Sequence, residues 1–451
     1  MRTKILAIIL LLLLSPSLGF ATNESDDSDT SEKTPQKHVL DIKNWSTTQG
    51  TKVYFVNIPE LPIVDIKVAF AAGSARDDQS YGIATLTNNL LDQSAGDLTG
   101  DQIANQFAGI GAEYDHAVGR DIAVVSLRSL INPTYLKTAL DTFSLVLSKP
   151  TFSDKDVKRL KDNQISSIQQ MQESPSDIAN KIFYETLYLN MPYAHPTLGT
   201  QNTVAGIKTS EVNNFYKKYY VAKNAVIVIV GAIQEDQAKK IAEQLMQTVA
   251  LGNTAPAIPK PLPLKKSMTQ NVPFPSTQTN IRMGQLGISH NNPDYYALMV
   301  GNYTLGGASL ISRLFEEVRE NRGLTYNISS SFIPLASPGP FIISLATKNS
   351  QSKEAQKITL DTVRKFLSDG PSSKELEAAK QGLTGGFPLK LDSNQAIAET
   401  LLNMAFYNLP LDYLDTYQEK INQVTQKDIT NAFNKYINLN TQIIVSVGGN
   451  R

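Results

Sequence analysis

Apolar and polar positions in this chain follow two rhythms. Lys52–Val56 and Val64–Phe70 alternate or run apolar with β-branched residues, and Ile122–Leu127 does the same, so these stretches are predicted strands. Gly82–Leu91, Thr99–Ile110 and Ser153–Met171 repeat their apolar residues every three to four positions, so these are predicted helices. Ser153-Asp154-Lys155-Asp156-Val157 opens its helix with a hydroxyl that can accept from the free first-turn N–H groups.

The pattern then recurs. Asn214-Phe215-Tyr216-Lys217-Lys218-Tyr219, followed by the β-branched run that ends at Gly231, has a counterpart in Asn431-Ala432-Phe433-Asn434-Lys435-Tyr436 and the run that ends at Gly448. The offset is a constant 217 residues. Ser372-Ser373-Lys374-Glu375-Leu376 repeats the capped start at Ser153, offset by 219. Two matches in the same order at nearly the same offset imply duplicated domains. Between them, residues 252–275 hold six prolines, which remove backbone donors and stiffen the chain, so the segment reads as an extended linker. The residues support an α+β chain of two duplicated domains, 39–250 and 276–451, joined by a Pro-rich linker over 251–275.

At the N-terminus, Arg2 and Lys4 precede the apolar run Ile5–Leu14 and a small-residue stretch ending at Ala21. This is the pattern of a secretory signal over 1–21. The run is too short for a membrane span, and no stable span is expected after cleavage, although a retained anchor is the alternative. Residues 22–38 are rich in Ser, Thr, Asp and Glu and read as a disordered leader. The expected location is periplasmic or secreted. Loss of Arg2 and Lys4 leaves 40 basic against 42 acidic residues. This balance lacks the basic excess of a nucleic-acid binder.

The 451 residues include no cysteine, which excludes disulfides, thiolate metal sites and cysteine nucleophiles. Histidine chemistry must use His38, His116, His195 or His290. His116 and His195 lack ligand-spaced neighbours and read as surface or capping residues. No G-x-S-x-G elbow supports a serine hydrolase. Leu305-Gly306-Gly307-Ala308-Ser309 lacks the Gly-Lys-Ser/Thr ending of a phosphate loop. Trp45 reads as a packing residue.

Three segments resemble the M16 (pitrilysin-like) metallopeptidase family: Ala72-Gly73-Ser74-Ala75-Arg76-Asp77 with Gly82-Ile83-Ala84; Pro192 to Thr200; and Ser312-Arg313-Leu314-Phe315 with Val318 to Tyr326. The resemblance runs from about residue 40 to the C-terminus. It implies two domains of the M16/LuxS-like metallohydrolase type, each an antiparallel-rich sheet covered by helices. In the family a helical His-x-x-Glu-His binds zinc through its histidines and polarises water through its glutamate. Here those degenerate metal positions are Thr85, Asn88 and Asn89, and the later helix that carries the family's glutamate ligand has none between Lys158 and Gln170. The resemblance therefore implies no metal or cofactor in this chain, with zinc expected in a partner subunit.

The second half retains more. In the family an arginine and a tyrosine seven residues apart reach into the partner's site and contact the substrate carbonyl. Arg319 and Tyr326 have that spacing, and a guanidinium and a phenol are donors that can steady an oxyanion. Spacing alone better fits an arginine in a helix-end salt bridge and a half-buried strand tyrosine; the surrounding motif turns the reading to the functional one. Gly306, Gly307 and Ser309 fall where the family's glycine-rich segment contacts substrate, and also fit a plain helix-entry loop. The resemblance thus implies the non-catalytic subunit of the two-chain M16B-type branch, inactive alone, paired with a zinc-bearing subunit that keeps His-x-x-Glu-His. It would act on short or unfolded peptides held by strand addition. Alternatives are a non-enzymatic peptide-binding or scaffolding protein, a homodimer formed when the chain is alone, and an autonomous hydrolase.

Overall fold

The computed structural model describes residues 38–449, so the signal sequence and all but the last residue of the leader lie outside the described residues. The first half runs β1 (Lys43–Ser46), β2 (Lys52–Asn57), β3 (Ile63–Phe70), α1 (Ile83–Leu90), the short pair β4 (Ser94–Ala95) and β5 (Leu98–Thr99), α2 (Gly100–Gly109), β6 (Glu113–Val118), β7 (Ala123–Leu130), α3 (Pro133–Ser148), α4 (Asp154–Gln172), α5 (Pro175–Tyr188), α6 (Gln201–Gly206), α7 (Thr209–Tyr219), β8 (Ala225–Gly231) and α8 (Glu235–Gln247). The second runs β9 (Met268–Val272), β10 (Gln278–Leu286), α9 (Tyr295–Asn302), β11 (Ile328–Phe332), β12 (Pro340–Lys348), α10 (Ser352–Asp369), α11 (Ser373–Gly385), α12 (Asn394–Phe406), α13 (Tyr413–Gln423), α14 (Gln426–Tyr436) and β13 (Ile443–Val447). The expected caps form: the side chains of Ser153 and Ser372 accept from the backbone N–H groups of Asp156 and Glu375, and Thr99 caps α2 in the same way through Gln102 N–H.

The duplication is complete at the level of topology. The first sheet is ordered β1-β2-β8-β3-β7-β6 and the second β9-β13-β10-β12-β11, so apart from β1 the strands correspond one to one. Each sheet contains one parallel pair, β2 with β8 and β9 with β13, and is otherwise antiparallel. One boundary differs from the sequence reading. β9 lies inside the segment read as linker, because Met268–Val272 finds a parallel partner in Ile443–Val447.

β8 is buried along its whole length. Ile227 and Ile229 join the core of the first half, whereas Val228 and Val230 pack in the core built around α12 of the second half. A strand covered on both faces reads as a continuous apolar run. The relation is reciprocal: α12 lies on β8 and β3, and α5 lies on β10 and β13. Phe183, Tyr184 and Leu187 of α5 share a core with Ile443, Val445 and Val447. Each half lends a helix to cover the other's sheet, and from Val39 onward the chain is a single compact unit. Burial of each large side chain in this exchange contributes about 1.5–3 kcal/mol, so neither sheet is complete without the opposite half. Among the described residues no helix is long and apolar enough to cross a membrane.

Candidate functional site

The degenerate metal positions lie on α1, and the start of that helix is built from outside it. Gly82 holds a left-handed φ of +97°, and the Leu198 carbonyl oxygen stands 2.5 Å from where a Cβ would be, so only glycine fits. The buried Asp77 carboxylate accepts from Gly82 N–H at 2.6 Å and Ala84 N–H at 3.0 Å. Burial pushes its pKa well up, against the pull of those two donors.

At the first zinc-ligand position and at the glutamate position, this chain has neutral groups already engaged. Thr85 Oγ1 donates to the Thr197 carbonyl at 2.8 Å. Asn88 is fully buried, and its amide Nδ2 donates to the Ala117 and Val124 carbonyls at 3.3 Å each. Asn88 Oδ1 in turn accepts from Tyr220 Oη at 3.0 Å. Asn89 is half-buried. From α4, Gln164 Nε2 donates to the carbonyls of Gly82 and Leu198 at 3.0 and 2.8 Å. A hydroxyl and amides committed to carbonyl partners do not suit zinc, which takes imidazole, thiolate or carboxylate. Among the described residues no group of three or more His, Cys, Asp or Glu is placed to hold a metal ion.

The segment Pro192–Thr200 covers this position, since Thr197 and Leu198 supply the carbonyls that Thr85 and Gln164 use. Arg120 secures it from below. Its Nη1 donates to the carbonyls of Tyr193 and His195 at 2.7 and 2.8 Å, and its guanidinium lies 3.9 Å from the centre of the Tyr184 ring. His195 departs from the surface or capping reading. It is buried and stacked on Tyr81 at 4.2 Å, and burial lowers its pKa. His116 sits half-buried on the sheet-edge strand β6. Gln164 and Tyr220 complete the arrangement and were missed in the sequence. The signal available was negative, a glutamate-free α4; nothing local marks Tyr220 as a partner of a residue 132 positions away.

The second-half residues sit differently. Arg319 lies in a π-helical turn, Phe315–Glu320, where the backbone bonds step by five, as from Asn321 N–H to the Glu316 carbonyl. Its guanidinium rests over the Phe315 ring at 4.5 Å and enters no ion pair among the described residues. Tyr326 is 80% exposed, not the half-buried strand residue that its spacing alone would allow. Its neighbour explains why. Thr325 Oγ1 donates to the Ala346 and Asn327 carbonyls at 2.6 and 2.8 Å, which ties the backbone down on either side of the tyrosine. Gly306 is buried in a second π turn, Tyr303–Gly307, with Ser330 Oγ 2.5 Å from a would-be Cβ, so close packing on β11 accounts for it. Gly307 and Ser309 are exposed.

Comparison with known proteins follows the same division. The model of the insulinase-type M16 peptidases matches residues 52–201, and that of the M16 peptidase inactive domain matches residues 207–383. A crystal structure of a peptidase M16 inactive domain from Pseudomonas fluorescens is 36% identical and superposes with a TM-score of 0.88 over 91% of this chain and 98% of that one. A protease from Helicobacter pylori shares the fold at a TM-score of 0.84 and 17% identity, over 91% of this chain and all of that one. Two relatives are each 25% identical. The uncharacterized zinc protease YmxG of Bacillus subtilis aligns over 79% of this chain and 86% of its own length. The non-peptidase homolog YmxG of Helicobacter pylori aligns over 85% of this chain and 87% of its own.

Proposed function

The chain belongs to the M16 peptidase family, as a homologue without the zinc-binding residues, and from that premise we propose that it is the zinc-less subunit of a two-chain peptidase. In this reading it is exported to the periplasm or secreted, carries no zinc, and lends Arg319 and Tyr326 to the peptide site of a zinc-bearing M16 partner. The observation that carries the proposal is a contrast within one chain. Thr85 and Asn88 are tied into structural hydrogen bonds, while among the described residues Arg319 has no ion-pair partner and Tyr326 stands in solvent. A solvent-facing phenol and a guanidinium that rests on Phe315 with no ion pair among the described residues are donors suited to a peptide carbonyl whose oxygen gains negative charge. Short or unfolded peptides are the substrates this supports, since an extended segment can pair with a sheet edge such as β6 or β11.

The test is a mixing assay on an unstructured peptide, with this chain alone, the zinc-bearing M16 chain alone, and the two at equal concentration. The proposal expects cleavage only in the mixture. Cleavage by the zinc-bearing chain at the same rate without this chain would contradict it and favour the peptide-binding or scaffolding reading.

A further inference from the structure

A second site lies at the seam between the two halves, where Arg76 precedes the Asp77 that holds the start of α1. A cleft of about 560 Å³ is lined from the first half by Arg76, Asp121, Lys52 and Lys223, and from the second by His290 and Tyr407. Its charges do not balance internally. Asp121 is buried and already accepts from Tyr193 Oη, from Ala336 N–H at 2.8 Å and from Tyr407 Oη at 3.1 Å. Lys52 Nζ donates to Asn408 Oδ1 at 2.5 Å, which is a neutral partner. Lys223 is exposed. His290 stacks on Tyr407 with ring centres 3.6 Å apart.

Arg76 is the unexplained member. It is only partly exposed, its Nε is buried with no hydrogen-bond partner, and among the described residues its guanidinium enters no ion pair. Burial lowers its pKa, so the folded protein bears a cost for keeping this charge in place. A half-buried guanidinium whose buried Nε has no partner, beside two lysines, is a receptor for an oxyanion, which a guanidinium can take through paired N–H groups. Ile258 and Leu335 add apolar wall to the same cleft, which favours an organic anion over a bare inorganic one.

We propose that this inter-half cleft binds a small organic carboxylate, such as the free C-terminal end of a short peptide, with Arg76 taking the carboxylate and Lys223 adding long-range attraction. Because the cleft is complete within one chain, binding requires neither a partner subunit nor Arg319 and Tyr326. The inference therefore stands or falls separately from the role proposed for that pair.

The test is isothermal titration of the purified chain with N-acetyl-trialanine, its C-terminal amide, and inorganic phosphate. The proposal expects saturable binding of the free acid, and binding of the amide at least about tenfold weaker. Arg76→Gln should abolish binding of the acid while Arg76→Lys retains part of it. Lys223→Ala, a change at an exposed side chain that leaves the fold intact, should weaken it several-fold, more so at low salt. Equal binding of acid and amide, binding unchanged in Arg76→Gln, phosphate binding without acid binding, or no saturable binding of any probe would each overturn it.

Discussion

Asn88 Oδ1 accepts the hydroxyl of Tyr220 at 3.0 Å, while the Asn88 amide Nδ2 faces the carbonyls of Ala117 and Val124. The position that would hold the family's catalytic glutamate is here a hydrogen-bond bridge between α1, the β6–β7 hairpin and the end of α7. A carboxylate there would meet two carbonyl oxygens and only one donor. Asn88→Glu should therefore destabilise the fold by about 3 kcal/mol, as expected for a buried charge without adequate partners. Tyr220→Phe, which leaves Asn88 Oδ1 without its donor, should cost about 1–2 kcal/mol. Urea denaturation checks both, and unchanged midpoints would contradict the bridge.

Thr85→Val at the neighbouring position removes the donor to the Thr197 carbonyl at nearly constant shape. The expected loss is about 1 kcal/mol, with loosening of Pro192–Thr200 visible as faster amide exchange there. Uniform exchange across the chain would contradict this role for Thr85.

The two halves are clamped at Asp121, which receives Tyr193 from the first half and Tyr407 and Ala336 from the second. Asp121→Ala strands three donors and should destabilise by about 3 kcal/mol, whereas Tyr407→Phe removes one hydrogen bond and should cost about 1 kcal/mol. Because α5 and α12 are exchanged between the sheets, both variants should still unfold in one calorimetric transition. Two separate transitions would show that the halves are independent.

Acid sensitivity follows from two histidines, His195 buried and His290 half-buried. Burial lowers the pKa of His290 to about 4 and also lowers that of His195. In the unfolded chain these groups bind protons from about pH 6.5 downward, so the unfolded state gains protons first. Stability is then full above about pH 6.5 and falls as the pH drops toward 4. The loss attributable to His290 is on the order of 3 kcal/mol. His290→Phe keeps a ring against Tyr407 and should flatten this slope between pH 6.5 and 4.5, above the range where Glu375, held at about 2 by Arg313 and Ser372 against its burial, begins to protonate. A slope unchanged in His290→Phe would contradict the assignment.

Much of this was legible in the chain. The 217-residue offset announced a duplication that the two sheets repeat strand for strand, and Ser153 and Ser372 marked the starts of α4 and α11. Thr85, Asn88 and Asn89 were readable because zinc chemistry tolerates so few residue types. The exchange of α5 and α12 was not readable. Leu187 and Leu401 reveal that a helix has an apolar face but not which sheet it covers. β9 was hidden by the prolines around it, since its pairing with β13 is 175 residues distant in sequence. The cleft at Arg76 escaped notice because its walls come from both halves and no short spacing joins Arg76 to His290.

The purified chain should hold well under one zinc per molecule after dialysis, with peptidase activity at background and insensitive to chelators. One tightly held zinc per chain, by elemental analysis, would show that a ligand set exists outside α1.

The most direct test of the complementing role is steady-state peptide hydrolysis by the zinc-bearing M16 partner mixed with wild-type, Arg319→Ala or Tyr326→Phe chain at matched occupancy. The account predicts that both variants still form the complex but lower kcat/KM by about 10²-fold or more, the size expected when one donor to a developing oxyanion is lost. Full activity in both variants, with complex formation intact, would contradict it.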